Sequence, residues 1–247
     1  MKRLLLTACI ATGLIFAAGG VSPAVAAFDN TPPSVNMSPS KVVLASTLSN
    51  NTATPTVQLT LSWTQYDASG ICGEYGELYN SATRTWTYQA LTLGQTSWTF
   101  ADSLANYYYF QVVETDCASP ANTSTTYNYS AYMSIVQSGS AALSAGWTSG
   151  SCNCWSFGST EEAKKAGASI SYTFSGASIA IIGDQAPGRG VANVFLDGVN
   201  VSHYNGNAAK KNLLVVYSHT FPTYGSHTIK IVTATAARVD VDALLIG

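Results

Sequence analysis

Five residues in the second half of the chain have the types that ligand chemistry needs: Asp184, Arg189, Trp147, Trp155 and Tyr204. Asp184 and Arg189 fall in the run Gly183-Asp184-Gln185-Ala186-Pro187-Gly188-Arg189-Gly190, a polar loop between two alternating segments. A carboxylate and a guanidinium placed there could hydrogen-bond a ligand hydroxyl or carboxylate. The competing reading is a loop-bracing ion pair, or Arg189 pairing with Asp240 or Asp242. Trp147, Trp155 and Tyr204 are read at loop positions, where a ring can stack on a sugar without disturbing the strands.

Other reactive types are present without a catalytic pattern. Cys152 and Cys154 are two residues apart. On an extended strand they would point the same way but lie too far apart to bond, so a bond between them needs a tight turn at Asn153. A C-x-C disulfide, two free thiols and a soft-metal pair are the alternatives, in that order. Glu74, Glu77 and Glu114 could supply the paired carboxylates of a glycosidase, but nothing in the spacing singles them out, and solvated strand faces are the expected reading. His203, His219 and His227 are dispersed and match no metal-ligand spacing, which reads as surface or loop histidines. Asp242, in the run VDVDALLI, is expected to cap backbone N–H groups. No nucleophile elbow or phosphate-cradling loop is present. No catalytic residue, metal ligand or cofactor is assigned, although a jelly roll can hold structural calcium through carbonyls and Asp.

Ten of the fourteen tyrosines and three of the five tryptophans precede residue 138. They read either as a sugar-stacking face or as core and cross-strand pairs. Trp63 and Tyr109 are assigned to the core. For Trp86, Tyr88 and Trp98 both readings stand.

The elements that must position these residues are strands. Ile170, Tyr172 and Phe174 alternate with Ser169, Ser171 and Thr173, and Val57, Leu59, Leu61 and Trp63 alternate likewise. Period-two patterning over short runs marks half-buried strands. In the first half, strands are expected over residues 42–45, 57–63, 71–79, 86–91, 97–100, 106–115 and 127–136. In the second they are expected as strand, turn, strand over 169–182, as strand, tight turn, strand over 191–201, and then around 213–217, 227–232 and 239–246. Asp197-Gly198 between apolar runs signals a hairpin. Ser138-Gly139-Ser140 reads as a short flexible junction, and Glu161 to Gly167 as a solvated loop. The fold class is therefore all-β, two consecutive antiparallel β-sandwich domains, over residues 28–137 and 138–247.

Residues 1–26 have the layout of a signal peptide: Lys2 and Arg3, an apolar run from Leu4 to Ala18, and Ala24-Val25-Ala26 as a cleavage site. A lipoprotein signal around Leu6-Thr7-Ala8-Cys9 is the weaker alternative. No later run approaches the ~20 apolar residues of a membrane span. A secreted, extracellular protein, in one reading associated with the cell surface, is expected. Residues 28–137 carry two basic and seven acidic groups, and 138–247 carry seven basic and six acidic. Neither half has the basic stripe that nucleic acid needs.

Two resemblances sharpen this. TLSWTQYDASGI, WTYQ and SWTFADSLANYYYFQVVETD resemble fibronectin type III and related Ig-like modules of bacterial surface proteins, with Trp63 on the second strand and Tyr107, Tyr109 and Val112 leading to Asp116. Cys72 and Cys117 are a departure from that pattern and are expected to bond across the loop end of the sandwich. SYTFSGASIAIIG, RGVANVFLDGVNV, VVYSHTF, GSHTIKIV and RVDVDALLI are similar to the galactose-binding-like jelly roll of carbohydrate-binding modules. That resemblance implies a glycan ligand without assigning its contacts. The function expected is a secreted non-catalytic binding or adhesion protein that engages polysaccharide or cell-envelope glycan, or other surface proteins. A structural surface or matrix spacer is the alternative, and a hydrolase ranks last.

Overall fold

The computed structural model describes residues 29–49, 55–104 and 106–247. The leader read at residues 1–26 lies outside them. The described chain is all-β, with antiparallel strands in four sheets. No helix among these residues is long and apolar enough to cross a membrane.

The first seven strands are β1 (Ser34–Val42), β2 (Thr56–Tyr66), β3 (Ile71–Asn80), β4 (Thr85–Ala90), β5 (Ser97–Ser103), β6 (Tyr108–Asp116) and β7 (Thr123–Ala131). They form one sheet in the order β1-β2-β5 and another in the order β4-β3-β6-β7. Val57, Leu59, Leu61 and Trp63 of β2 are buried, as their alternation requires. The Trp63 ring meets Phe110 of β6 at 5.8 Å. Trp98 also turns inwards, stacked on Phe100 and Phe110 at 5.1 Å each.

The first strand lies upstream of the expected run at 42–45, where Ala45 instead turns with φ 62°. Pro32 and Pro33 lead extended chain into β1, and Pro39 is tolerated there because β1 is an edge strand whose register breaks between Ser38 and Lys41. The strand expected over 127–136 is two: β7, then β8 (Ser134–Gln137).

The remaining strands are β9 (Ala142–Leu143), β10 (Trp147–Ser151), β11 (Ser159–Ala163), β12 (Ser169–Gln185), β13 (Val191–Leu196), β14 (Val199–Asn205), β15 (Lys211–Thr233), β16 (Val239–Val241) and β17 (Ala243–Ile246). A large sheet runs β14-β13-β15-β12-β17-β8, with β9 also on β12, and a small one runs β10-β11-β16. β8 pairs with β17, so residues 134–137 hydrogen-bond into the sheet of the second half. The expected junction at Ser138–Ser140 is a 3-10 turn with Ser138 buried. The loop expected over residues 161–167 begins as strand: Glu161 to Ala163 belong to β11, which pairs on both sides, and Glu161 is buried, while residues 164–167 are an exposed turn.

Segments 213–217 and 227–232 belong to one long strand, β15, and the turn expected within 169–182 is not a turn but part of the equally continuous β12, whose pairing with β15 shifts register between Gly176 and Ser178. The hairpin between β13 and β14 turns at Asp197 and Gly198, both at positive φ, as a two-residue Asp-Gly turn requires.

Ile179, Ala180, Ile181 and Ile182 are all 0% exposed. Consecutive rather than alternating burial means that β12 is covered on both faces. Ile179 and Ile181 join Val239 and Val241 in one core. Ala180 and Ile182 join Val42, Leu48 and Leu59 in the other. The two halves thus share a hydrophobic core across the back of the large sheet.

Candidate functional site

The five residues singled out in the second half are largely structural in placement. Asp184, at the end of β12, is buried and accepts hydrogen bonds from Trp155 Nε1 and from the Leu213 N–H at 3.1 Å. Arg189 bridges not to Asp184 but to Asp240, with Nη1 3.0 Å from Oδ2. Arg238 holds the other Asp240 oxygen at 2.6 Å and Glu162 at 2.5 Å, and lies 5.8 Å from the Trp155 ring centroid. Burial pushes the Asp240 carboxyl up, and the two guanidiniums only partly oppose it. Tyr204 donates its hydroxyl to the Asp240 carbonyl at 3.2 Å, and burial raises its phenol.

This corrects the expectation of loop positions for Trp147 and Tyr204, while Trp155 keeps one. Trp147 and Tyr204 sit on β10 and β14, and Trp147, Trp155 and Tyr204 are only 8%, 7% and 6% exposed. The Trp147 and Tyr204 rings pack between the sheets because that core needs large apolar bodies, and Trp155, in the turn after Cys154, is covered as well; rings so covered offer no face to a sugar. Asp242 caps the Ser156 N–H at 3.1 Å and accepts from its hydroxyl, with burial pushing its carboxyl up to about 7. The histidines lie on strands: His227 stacks on Phe221 at 3.5 Å and contacts Asp197 Oδ2 through Nδ1 at 2.8 Å.

Both disulfides form. Cys72–Cys117 ties the start of β3 to the end of β6 with Cα atoms 5.0 Å apart. Cys152–Cys154 closes the turn at Asn153 with Cα atoms 5.1 Å apart. That turn presents Trp155 and Ser156 to Asp184 and Asp242.

A continuous aromatic surface lies elsewhere, on the outer face of the four-stranded sheet. Gly76 and Leu78 of β3 face the core: a Cβ on Gly76 would stand 2.7 Å from Phe110 Cζ. The alternate residues Tyr75, Glu77 and Tyr79 therefore point outwards. The register sets Tyr79 beside Trp86 of β4 and Tyr109 of β6, and Glu77 beside Tyr88 and Gln111. Ring centroids are 5.3 Å apart for Tyr79–Trp86, 5.6 Å for Tyr79–Tyr109 and 5.5 Å for Tyr75–Tyr88. Gln111 donates to Glu77 in their midst. Trp86 is 45% and Tyr88 63% exposed. Tyr109, read from sequence as core, belongs to this surface. The signal was present as Tyr-x-Glu-x-Tyr and Trp-x-Tyr, but not which way the strands faced.

One carboxylate group was not legible in the sequence. Asp29, Asp67 and Asp116 converge with ligand atoms within 4.8 Å of one another. Three such oxygens could bridge a hard cation. They are also engaged locally: Asp29 by the Thr31 N–H, Asp67 by Ser69 and Asp116 by Asn122. The group lies in the first half, whereas calcium was considered for the second.

No protein-family model matches the chain, and no curated protein matches it. Among solved structures it is similar to a family 35 carbohydrate binding module from Clostridium thermocellum, with 16% identity over 47% of this chain and 98% of that one, at a TM-score of 0.37. It is also similar to a family two carbohydrate esterase from Cellvibrio japonicus, with 13% identity over 46% of this chain and 33% of that one, at 0.36. A third is an exo-beta-1,3-galactanase from Phanerochaete chrysosporium, with 11% identity over 89% of this chain and 69% of that one, at 0.38. The chain thus spans a third of the esterase. All three TM-scores are low, and the functional reading rests on this chain's own side chains.

Proposed function

We propose that the protein is a secreted, non-catalytic glycan-binding or adhesion protein whose contact surface is the aromatic face of β3, β4 and β6. The exposed Trp86 and Tyr88 rings, beside Tyr75, Tyr79 and Tyr109, carry this reading. The C–H face of a sugar ring sheds water against such a surface while its hydroxyls stay wet, and the Glu77–Gln111 pair can accept and donate among them. An acidic first half disfavours polyanions, so the ligand is a neutral polysaccharide. The contact surface thereby moves from the second half to the first. Two domains, over residues 28–137 and 138–247, remain the proposed organisation. The strand orders β1-β2-β5 and β4-β3-β6-β7 support a fibronectin type III-like reading of the first.

Retention of the full chain on insoluble cellulose, xylan and mannan tests the proposal. The wild type is expected to be retained on at least one, and Trp86→Ala/Tyr88→Ala to wash off it. Both substitutions fall on an exposed edge strand and leave the core intact. Retention on none, or equal retention of the double variant, overturns the reading. The first outcome favours the spacer alternative, which the core shared by the two halves supports.

A further inference from the structure

A cleft of 390 Å³ opens where the two halves meet. Pro39, Ser40, Tyr107 and Tyr132 line it from the first half, and Ser178 and Tyr224 from the second. Tyr107 and Tyr132 stack with centroids 4.4 Å apart and planes 18° from parallel, which gives the cleft an aromatic wall. Tyr107 is 51% exposed and Tyr224 72%. No charged side chain lines the cleft. Among the described residues none of these three phenol groups has a hydrogen-bond partner, although each could both donate and accept.

We propose that this cleft binds one or two neutral sugar rings, separately from the aromatic face of β3 and β4, with which it shares no residue. Its volume falls in the range of small-ligand sites, about 300–1,000 Å³. Tyrosine rings supply apolar surface for the C–H faces, and their hydroxyls and those of the serines supply polar partners for the ring hydroxyls. The uncharged lining selects against acidic sugars, whose carboxylates would lose water there without a countercharge. Because each half supplies part of the wall, the ligand also holds the halves together, and binding raises the stability of the whole chain.

Titration calorimetry of the full chain with cellobiose, xylobiose, mannobiose and lactose tests this, with digalacturonate as the charged control. At least one neutral disaccharide is expected to bind below about 10 mM and to raise the melting temperature. Tyr224→Ala is expected to weaken it by about tenfold or more, and Tyr224→Phe to retain most of the affinity. Tyr224 is largely exposed, and an unchanged unliganded melting temperature confirms that its variants fold. Binding of none of the four neutral sugars, wild-type affinity in Tyr224→Ala, or equal binding of digalacturonate each overturns the proposal. Failure of the aromatic face is read separately, as loss of polysaccharide retention with disaccharide binding intact.

Discussion

Glu114 of β6 lies directly across from Glu74 of β3, fully buried, on the face of the sheet that looks into the first core. Neither Glu114 oxygen has a hydrogen-bond donor among the described residues. Burial, and then the Glu74 charge, push its carboxyl up to about 7. A raised carboxyl binds its proton more tightly in the folded chain. Its stabilising effect is present below the ordinary carboxylate range and is lost as pH rises from there through about 7. Thermal unfolding should therefore show a melting temperature that falls between pH 5 and pH 8. Glu114→Gln should flatten that slope and stabilise the protein at pH 8 by about 1–2 kcal/mol. An unchanged slope would mean that Glu114 is charged and paired in solution.

Asp102 on β5 has the same sign and a different neighbourhood. It is 0% exposed, both oxygens lack a donor among the described residues, and burial alone raises it to about 8. Asp102→Asn should leave stability at pH 3 nearly unchanged and raise it by about 1–3 kcal/mol at pH 8, read by urea unfolding at the two pH values.

The two disulfides should differ in worth. Cys72–Cys117 closes a loop with a sequence separation of 45, against 2 for Cys152–Cys154. On the chain-entropy account the first contributes about 3–4 kcal/mol and the second about 1–2. Urea unfolding of Cys72→Ser/Cys117→Ser and of Cys152→Ser/Cys154→Ser measures both. Equal losses would show that the short loop acts by seating Trp155 rather than through chain entropy.

Trp155→Phe removes the indole N–H that Asp184 accepts inside the second half. Leaving a buried carboxylate oxygen short of a donor should cost about 1–3 kcal/mol. Retention on polysaccharide should not change, since the ring is buried away from solvent. A variant of wild-type stability that lost retention would return Trp155 to the ligand surface.

Local patterning was sufficient for the strands. The alternation through Val57 to Trp63 and the Asp197-Gly198 hairpin follow from side-chain period and turn chemistry, and the tertiary structure agrees with them. The Cys72–Cys117 pairing is expected only from the resemblance to a sandwich module, and it forms. Tertiary packing decided which face of a strand meets water. In β3 both faces carry apolar bodies, Tyr75 and Tyr79 on one side and Leu78 on the other. Only the neighbouring Phe110, which fills the space over Gly76, makes the tyrosine side the outer one. The same holds for Trp147 and Tyr204, whose polar neighbours in sequence read as loops, while a second sheet closes over them in space. The meeting of Asp29, Asp67 and Asp116, the core shared by the halves and the tyrosine cleft join residues far apart along the chain. No local period encodes such contacts. They exist only once the sheets have stacked and the buried surface has chosen its partners.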